Sequence, residues 1–86
     1  MIDYILSFLC DDDEQIETII GRLNCINKTN CNLQNVLPII LKLYNEGKIT
    51  IAYPYNTEKI DMQHLNEYWF AITKIGKSFF EENQKD

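Results

Sequence analysis

"ILKLYNEGKITIAYPY", residues 40–55, is where the periodicity of the chain changes. Up to Gly47 the apolar residues recur at helical spacing. Leu37, Ile40, Leu41 and Tyr44 fall at i, i+3, i+4 and i+7, the pattern that lines one helix face. Past Gly47 the period becomes two. Ile49, Ile51, Tyr53 and Tyr55 point one way and Thr50, Ala52 and Pro54 the other, the alternation of a half-buried strand. Gly47 reads as the stop of the helix, and Pro54 suits an edge or a strand end. Pro38 sets the beginning of that helix. With Asn35 as N-cap it falls in the first turn, where no backbone bond is lost, whereas a start just after Asn32 puts it inside and kinks the helix. The expectation is a short or bent start near Leu33, with the regular helix running from Val36 to Glu46.

Upstream the helical template occurs twice more, in Ile2, Ile5, Leu6 and Leu9 and in Ile16, Ile19, Ile20 and Leu23. Between them "DDDEQ" (11–15) supplies acids for the positive end of the second helix, with Asp12 and Gln15 at capping-box spacing. Downstream, "EYWFAIT" (67–73) alternates again. Tyr68, Phe70 and Ile72 share one face, and Glu67, Trp69, Ala71 and Thr73 the other. Residues 56–66 are too many for a tight turn and read as a long polar hairpin tip. Thr73 is placed to cap a short final helix carrying Ile75, Phe79 and Phe80.

Three helices, a hairpin and a terminal helix in this order resemble a winged helix-turn-helix domain. The residues that carry the resemblance are "ILKLYNEGKITI" (40–51) and "YWFAITKIGKSFFEE" (68–82), the latter similar to the strand and exit common in such proteins. The resemblance implies an α+β winged helix: a three-helix bundle, a two-stranded β-wing and a short C-terminal helix. It covers residues 1–86 as a single domain. In DNA-binding members the third helix enters the major groove and the wing touches the backbone. Members of the superfamily also serve as protein-docking modules, so the fold leaves the function open.

Composition weighs on that choice. The 86 residues carry a net charge of −5, and 45% of them are hydrophobic, enough for a core. The imbalance is local: residues 1–24 hold Asp3, Asp11, Asp12, Asp13, Glu14 and Glu17 against Arg22 alone. DNA affinity comes largely from Lys and Arg displacing counterions, so an acidic front disfavours nucleic acid and draws in a basic protein. The apolar runs are too short to span a bilayer and Met1-Ile2-Asp3 offers no basic leader start, so a cytoplasmic protein, with no membrane partner, is expected. Cys10, Cys25 and Cys31 form no close pair beside the single histidine, His64. Free thiols are expected, with no metal site and no cofactor.

The helical wheel puts Asn35, Ile39, Lys42 and Glu46 on the outward face of the third helix. The alternative expectation is a homodimeric DNA-binding transcriptional regulator that reads with Gln34, Asn35 and Lys42 there and grips with Lys59 in the wing. Glu46 opposes Lys42, Glu58 and Asp61 flank Lys59, and Ile39 has no role against phosphates. The favoured expectation is therefore a non-catalytic, acidic protein-binding module. Its docking residues are Asp11, Asp12, Asp13, Glu14, Glu17, Ile39, Tyr53, Tyr55 and Trp69. An inhibitor that masks a basic target fits, an immunity protein against a nuclease toxin being one concrete form. No serine or cysteine stands beside His64 as a nucleophile and no glycine-rich phosphate loop is present, so no enzyme is expected.

Overall fold

A computed structural model describes residues 1–27 and 30–83. They form an α+β fold in the order α1 (Ile2–Asp11), β1 (Glu14–Gln15), α2 (Ile16–Asn27), α3 (Leu33–Asn45), β2 (Ile49–Tyr53), a 3-10 segment (Met62–Glu67), β3 (Trp69–Ile72) and α4 (Lys74–Asn83). The helices bury one stripe each against the inner face of the sheet. Ile5, Leu6, Phe8 and Leu9 come from α1, Ile16, Ile19 and Leu23 from α2, and Val36, Ile40 and Leu43 from α3. Ile49, Ile51 and Phe70 close the core from the strands. Each such side chain contributes roughly 1.5–3 kcal/mol on leaving water.

The sheet is antiparallel and has three strands, in the order β1-β3-β2. The strand absent from the sequence reading is β1, which lies inside "DDDEQ". Glu14 and Gln15 pair with Phe70 and Trp69 instead of opening α2 as a capping box. The Asp12 carboxylate accepts the N–H of its neighbour Asp13 at 2.8 Å, and the Gln15 side chain donates to the Asn66 carbonyl at 3.2 Å. Pairing with β3 satisfies backbone groups of Glu14 and Gln15 themselves.

The helix α3 starts at Leu33, as expected, because Asn32 and Asn35 form a reciprocal cap, each side chain accepting the other's backbone N–H at 3.1 Å. Pro38 consequently lies inside the helix, where it removes one backbone bond. The buried stripe is Val36, Ile40 and Leu43, with Leu37, Ile39 and Tyr44 as partly buried flanks. From Val36 to Leu43 only Pro38 and Lys42 interrupt the apolar run, so two stripes satisfy the spacing and packing selects one. Ahead of α3, α2 runs through Cys25 and Ile26, which shortens the connection. The Asn24 side-chain amide both donates to and accepts from the backbone of Cys31, at 3.0 and 2.7 Å. Residues 28 and 29 of the connection lie outside the described residues.

The hairpin departs from simple alternation at Ala52. Ile51 pairs with Phe70, yet Tyr53 pairs with Trp69, so Ala52 is the extra residue of a bulge. A one-residue slip exchanges faces. Tyr53 thus leaves the side of Ile49 and Ile51 and joins Trp69 outside. The loop beyond it is long and mostly exposed, as expected, but is anchored to the body of the fold. Leu65 is buried, the Tyr68 hydroxyl accepts from the Asp61 N–H at 2.8 Å, and the Tyr44 hydroxyl donates to the Glu58 carbonyl at 2.8 Å.

Thr73 joins the sheet to α4. Its N–H donates to the Lys48 carbonyl at 3.0 Å and its hydroxyl donates to the Gly47 carbonyl. The same hydroxyl oxygen accepts the Gly76 N–H at 3.0 Å, an N-cap bond. Gly47 has φ +75, a conformation open to glycine and costly for other residues.

Candidate docking surface

The outward row of the sheet is Gln15, Trp69 and Tyr53, one residue from each strand, in register. Neighbouring strands lie about 4.8 Å apart, and Trp69 and Tyr53 are cross-strand partners. Trp69 is 40% exposed, Tyr53 53% and Tyr55 80%. The Tyr53 and Tyr55 rings meet edge to face, with centroids 5.6 Å apart. Tyr53 and Tyr55 lie outside the core, whereas Phe79 and Phe80 pack against it. The three aromatic residues expected to dock do share one end of the sheet.

The acids divide. Asp11, Asp12, Asp13 and Glu17 are exposed. Glu14 is not part of that patch, because its carboxylate accepts from Arg22 at 3.1 Å with only 14% of its side chain exposed. The Arg22 guanidinium also lies over the Phe8 ring at 4.2 Å. The one base of the acidic front half is thus held by Glu14 and Phe8, and Asp3, Asp11, Asp12, Asp13 and Glu17 are exposed.

On α3 the outward face consists of Gln34, Pro38, Lys42 and Asn45, all exposed. Ile39 packs against the core rim, since the stripe is turned toward Val36 and Leu43. Asn35 is exposed, but its side chain is engaged in the cap. Glu46 pairs with Lys48 at 3.0 Å rather than opposing Lys42, and Lys48 sits 3.7 Å from the Phe79 ring centroid. Lys42 and Lys59 are both exposed.

His64, on the 3-10 segment, contacts the Glu67 carboxylate through Nδ1 and approaches Asp61 at 4.0 Å through Nε2. The Glu67 hydrogen bond, then its charge, then the charge of Asp61 raise the imidazole above its ordinary 6.5. A raised value means that the folded chain holds the proton more tightly. Its stabilising contribution is complete below pH 6.5 and disappears as pH rises through the raised value. Because this is the only histidine, a proton-NMR titration reads it directly. Its midpoint is expected above 6.5, returning toward that value in Glu67→Gln; an unshifted native midpoint would disprove the contact.

All three cysteines keep their thiols. Partial burial raises the Cys10 thiol's pKa, opposed by Lys77. Among the described residues no group of three or more His, Cys, Asp or Glu side chains is placed to hold a metal ion. Among those residues, too, no helix is long and apolar enough to cross a membrane. An open groove along α2 is lined by Thr18, Gly21, Arg22, Cys25 and Ile26. Its single charged group is the arginine already paired with Glu14.

The sequence pattern identified Trp69 as outward-facing. It missed Gln15 and the outward turn of Tyr53, because a two-residue strand has no period and a bulge leaves no composition signal. No family model, no curated protein and no solved structure matches this chain.

Proposed function

We propose that this chain is a winged-helix module that binds a basic protein and performs no catalysis, acting as an acidic inhibitor of its partner in the cytoplasm. The observation that carries the reading is the pairing of exposed aromatic residues, Trp69, Tyr53 and Tyr55, with exposed acids, Asp11, Asp12, Asp13 and Glu17. The order of helices and strands, with β1 between the first two helices and β3 in the sheet centre, is compatible with the winged-helix layout. Exposed aromatic side chains are the usual anchors of protein interfaces, and uncompensated carboxylates steer a cationic partner onto them. An immunity protein masking a nuclease toxin is the concrete form this takes.

The second reading is a DNA-binding regulator, alone or as a homodimer, favoured by the exposed outward face of α3 with Gln34 and Lys42 and by exposed Lys59. Anisotropy of a labelled mixed-sequence duplex at about 50 and about 200 mM salt separates the two. No binding at either salt is expected. Micromolar binding that weakens steeply with salt would overturn the proposal in favour of the second reading.

A further inference from the structure

Resting on the reading of a basic partner, we infer that the outer face of the sheet takes arginine side chains, stacked on Trp69 and Tyr53 within the corner that Tyr55 makes. Three observations converge on this occupant. First, Trp69, Tyr53 and Tyr55 are all exposed, Tyr53 is the cross-strand partner of Trp69, and the Tyr53 and Tyr55 planes stand at 81° to each other. An indole or phenol face attracts a cation through its quadrupole, and a planar guanidinium stacks on it better than an ammonium.

Second, the molecule's own cations leave this face empty. Arg22 lies over Phe8 and Lys48 over Phe79. Among the described residues no cation sits over Trp69, Tyr53 or Tyr55, and the strand sequences "EQ", "ITIAY" and "WFAI" contain no base. Third, exposed acids border β1, Asp13 before it and Glu17 after it, whereas the bases next to the strands, Lys48 before β2 and Lys74 after β3, lie at the end away from Tyr53 and Trp69. A neutral or acidic segment would gain the ring contact but no countercharge. A cationic one gains both.

The test uses the full chain and two fluorescein-labelled nonapeptides, one alternating Arg with Gly and one alternating Lys with Gly. Binding is followed by anisotropy and by the emission of Trp69, the single tryptophan. The Arg peptide is expected to bind and to change that emission, with the Lys peptide about three- to tenfold weaker. Trp69→Ala and the milder Tyr53→Ser should each weaken the Arg peptide about three- to tenfold, with circular dichroism unchanged. The double variant Asp12→Asn, Asp13→Asn should flatten the salt dependence.

If the Arg peptide binds equally well to both ring variants, a basic partner remains possible and this face is the wrong one. If neither peptide binds at about 50 mM salt, both the inference and the proposed function fall. Emission that shifts with the chain's own concentration, before any peptide is added, would identify a second copy as the occupant and overturn the inference.

Discussion

Gly76→Ala is expected to destabilise the fold by about 2–4 kcal/mol, although helix propensity predicts the opposite sign. Gly76 lies in the first turn of α4, and exchanging Gly for Ala in a helix ordinarily gains up to about 1 kcal/mol. Here a methyl group would overlap the Lys48 carbonyl oxygen and meet the Ile72 side chain at 2.9 Å. The Lys48 carbonyl cannot swing aside freely, because it accepts the Thr73 N–H at 3.0 Å. Moving α4 instead strains the bond from the Gly76 N–H to the Thr73 hydroxyl. Overpacking costs about 1–3 kcal/mol, and each disturbed hydrogen bond adds about 1.

The control is the same exchange at Gly21, which lies on α2 with nothing within 4 Å of an added methyl. Gly21→Ala should stabilise by up to about 1 kcal/mol. Urea midpoints for the two variants should therefore move in opposite directions. A raised midpoint for Gly76→Ala would mean that α4 does not lie against the start of β2.

The close approach of Gly76 to the Lys48 carbonyl was not legible in the sequence, whereas Thr73 was, as the cap of the last helix, because that role depends on residue type at short range. The stripes of α1 and α2 were legible for the same reason, as was the stop at Gly47. Elements that depend on tertiary pairing were not. β1 has two residues and acquires its identity only by pairing with Phe70 and Trp69. The bulge at Ala52 arises from the fit between β2 and β3, and it alone decides that Tyr53 faces out. The hairpin loop reads as polar, yet Leu65 and Tyr68 anchor it, and two well-placed apolar residues barely alter a window average. The candidate surface was half legible on these grounds: Trp69 follows from alternation, whereas its neighbours Gln15 and Tyr53 follow from register. Glu14 shows the converse. Its charge suggested a docking acid, and only the fold brings Arg22 to it across α2.

Adjacent residues on β3 give the second large prediction, in which stability and binding come apart. Phe70 is fully buried in the central strand, between Glu14 on β1 and Ile51 on β2, with the Tyr68 ring edge-on at 6.3 Å. Phe70→Ala removes the ring from the meeting point of all three strands and leaves a cavity, at a cost of about 3–5 kcal/mol. A chain of this length has roughly 4–13 kcal/mol of stability in total. The melting temperature should fall by about 15–30 °C, and a marginally stable chain would be unfolded outright.

Trp69, one residue along, points to the other side of the sheet. Trp69→Ala should shift the melting temperature by only about 4–8 °C, since part of the indole is already in water and about 1 kcal/mol is at stake. Thermal scans and peptide titrations on both variants expose the contrast. Phe70→Leu, which keeps most of the volume, should retain full affinity with a melting temperature lower by about 5–15 °C. Should Phe70→Leu lose affinity while Trp69→Ala keeps it, the outer face could not be the recognition surface, and the α2 groove or the α3 face would take its place.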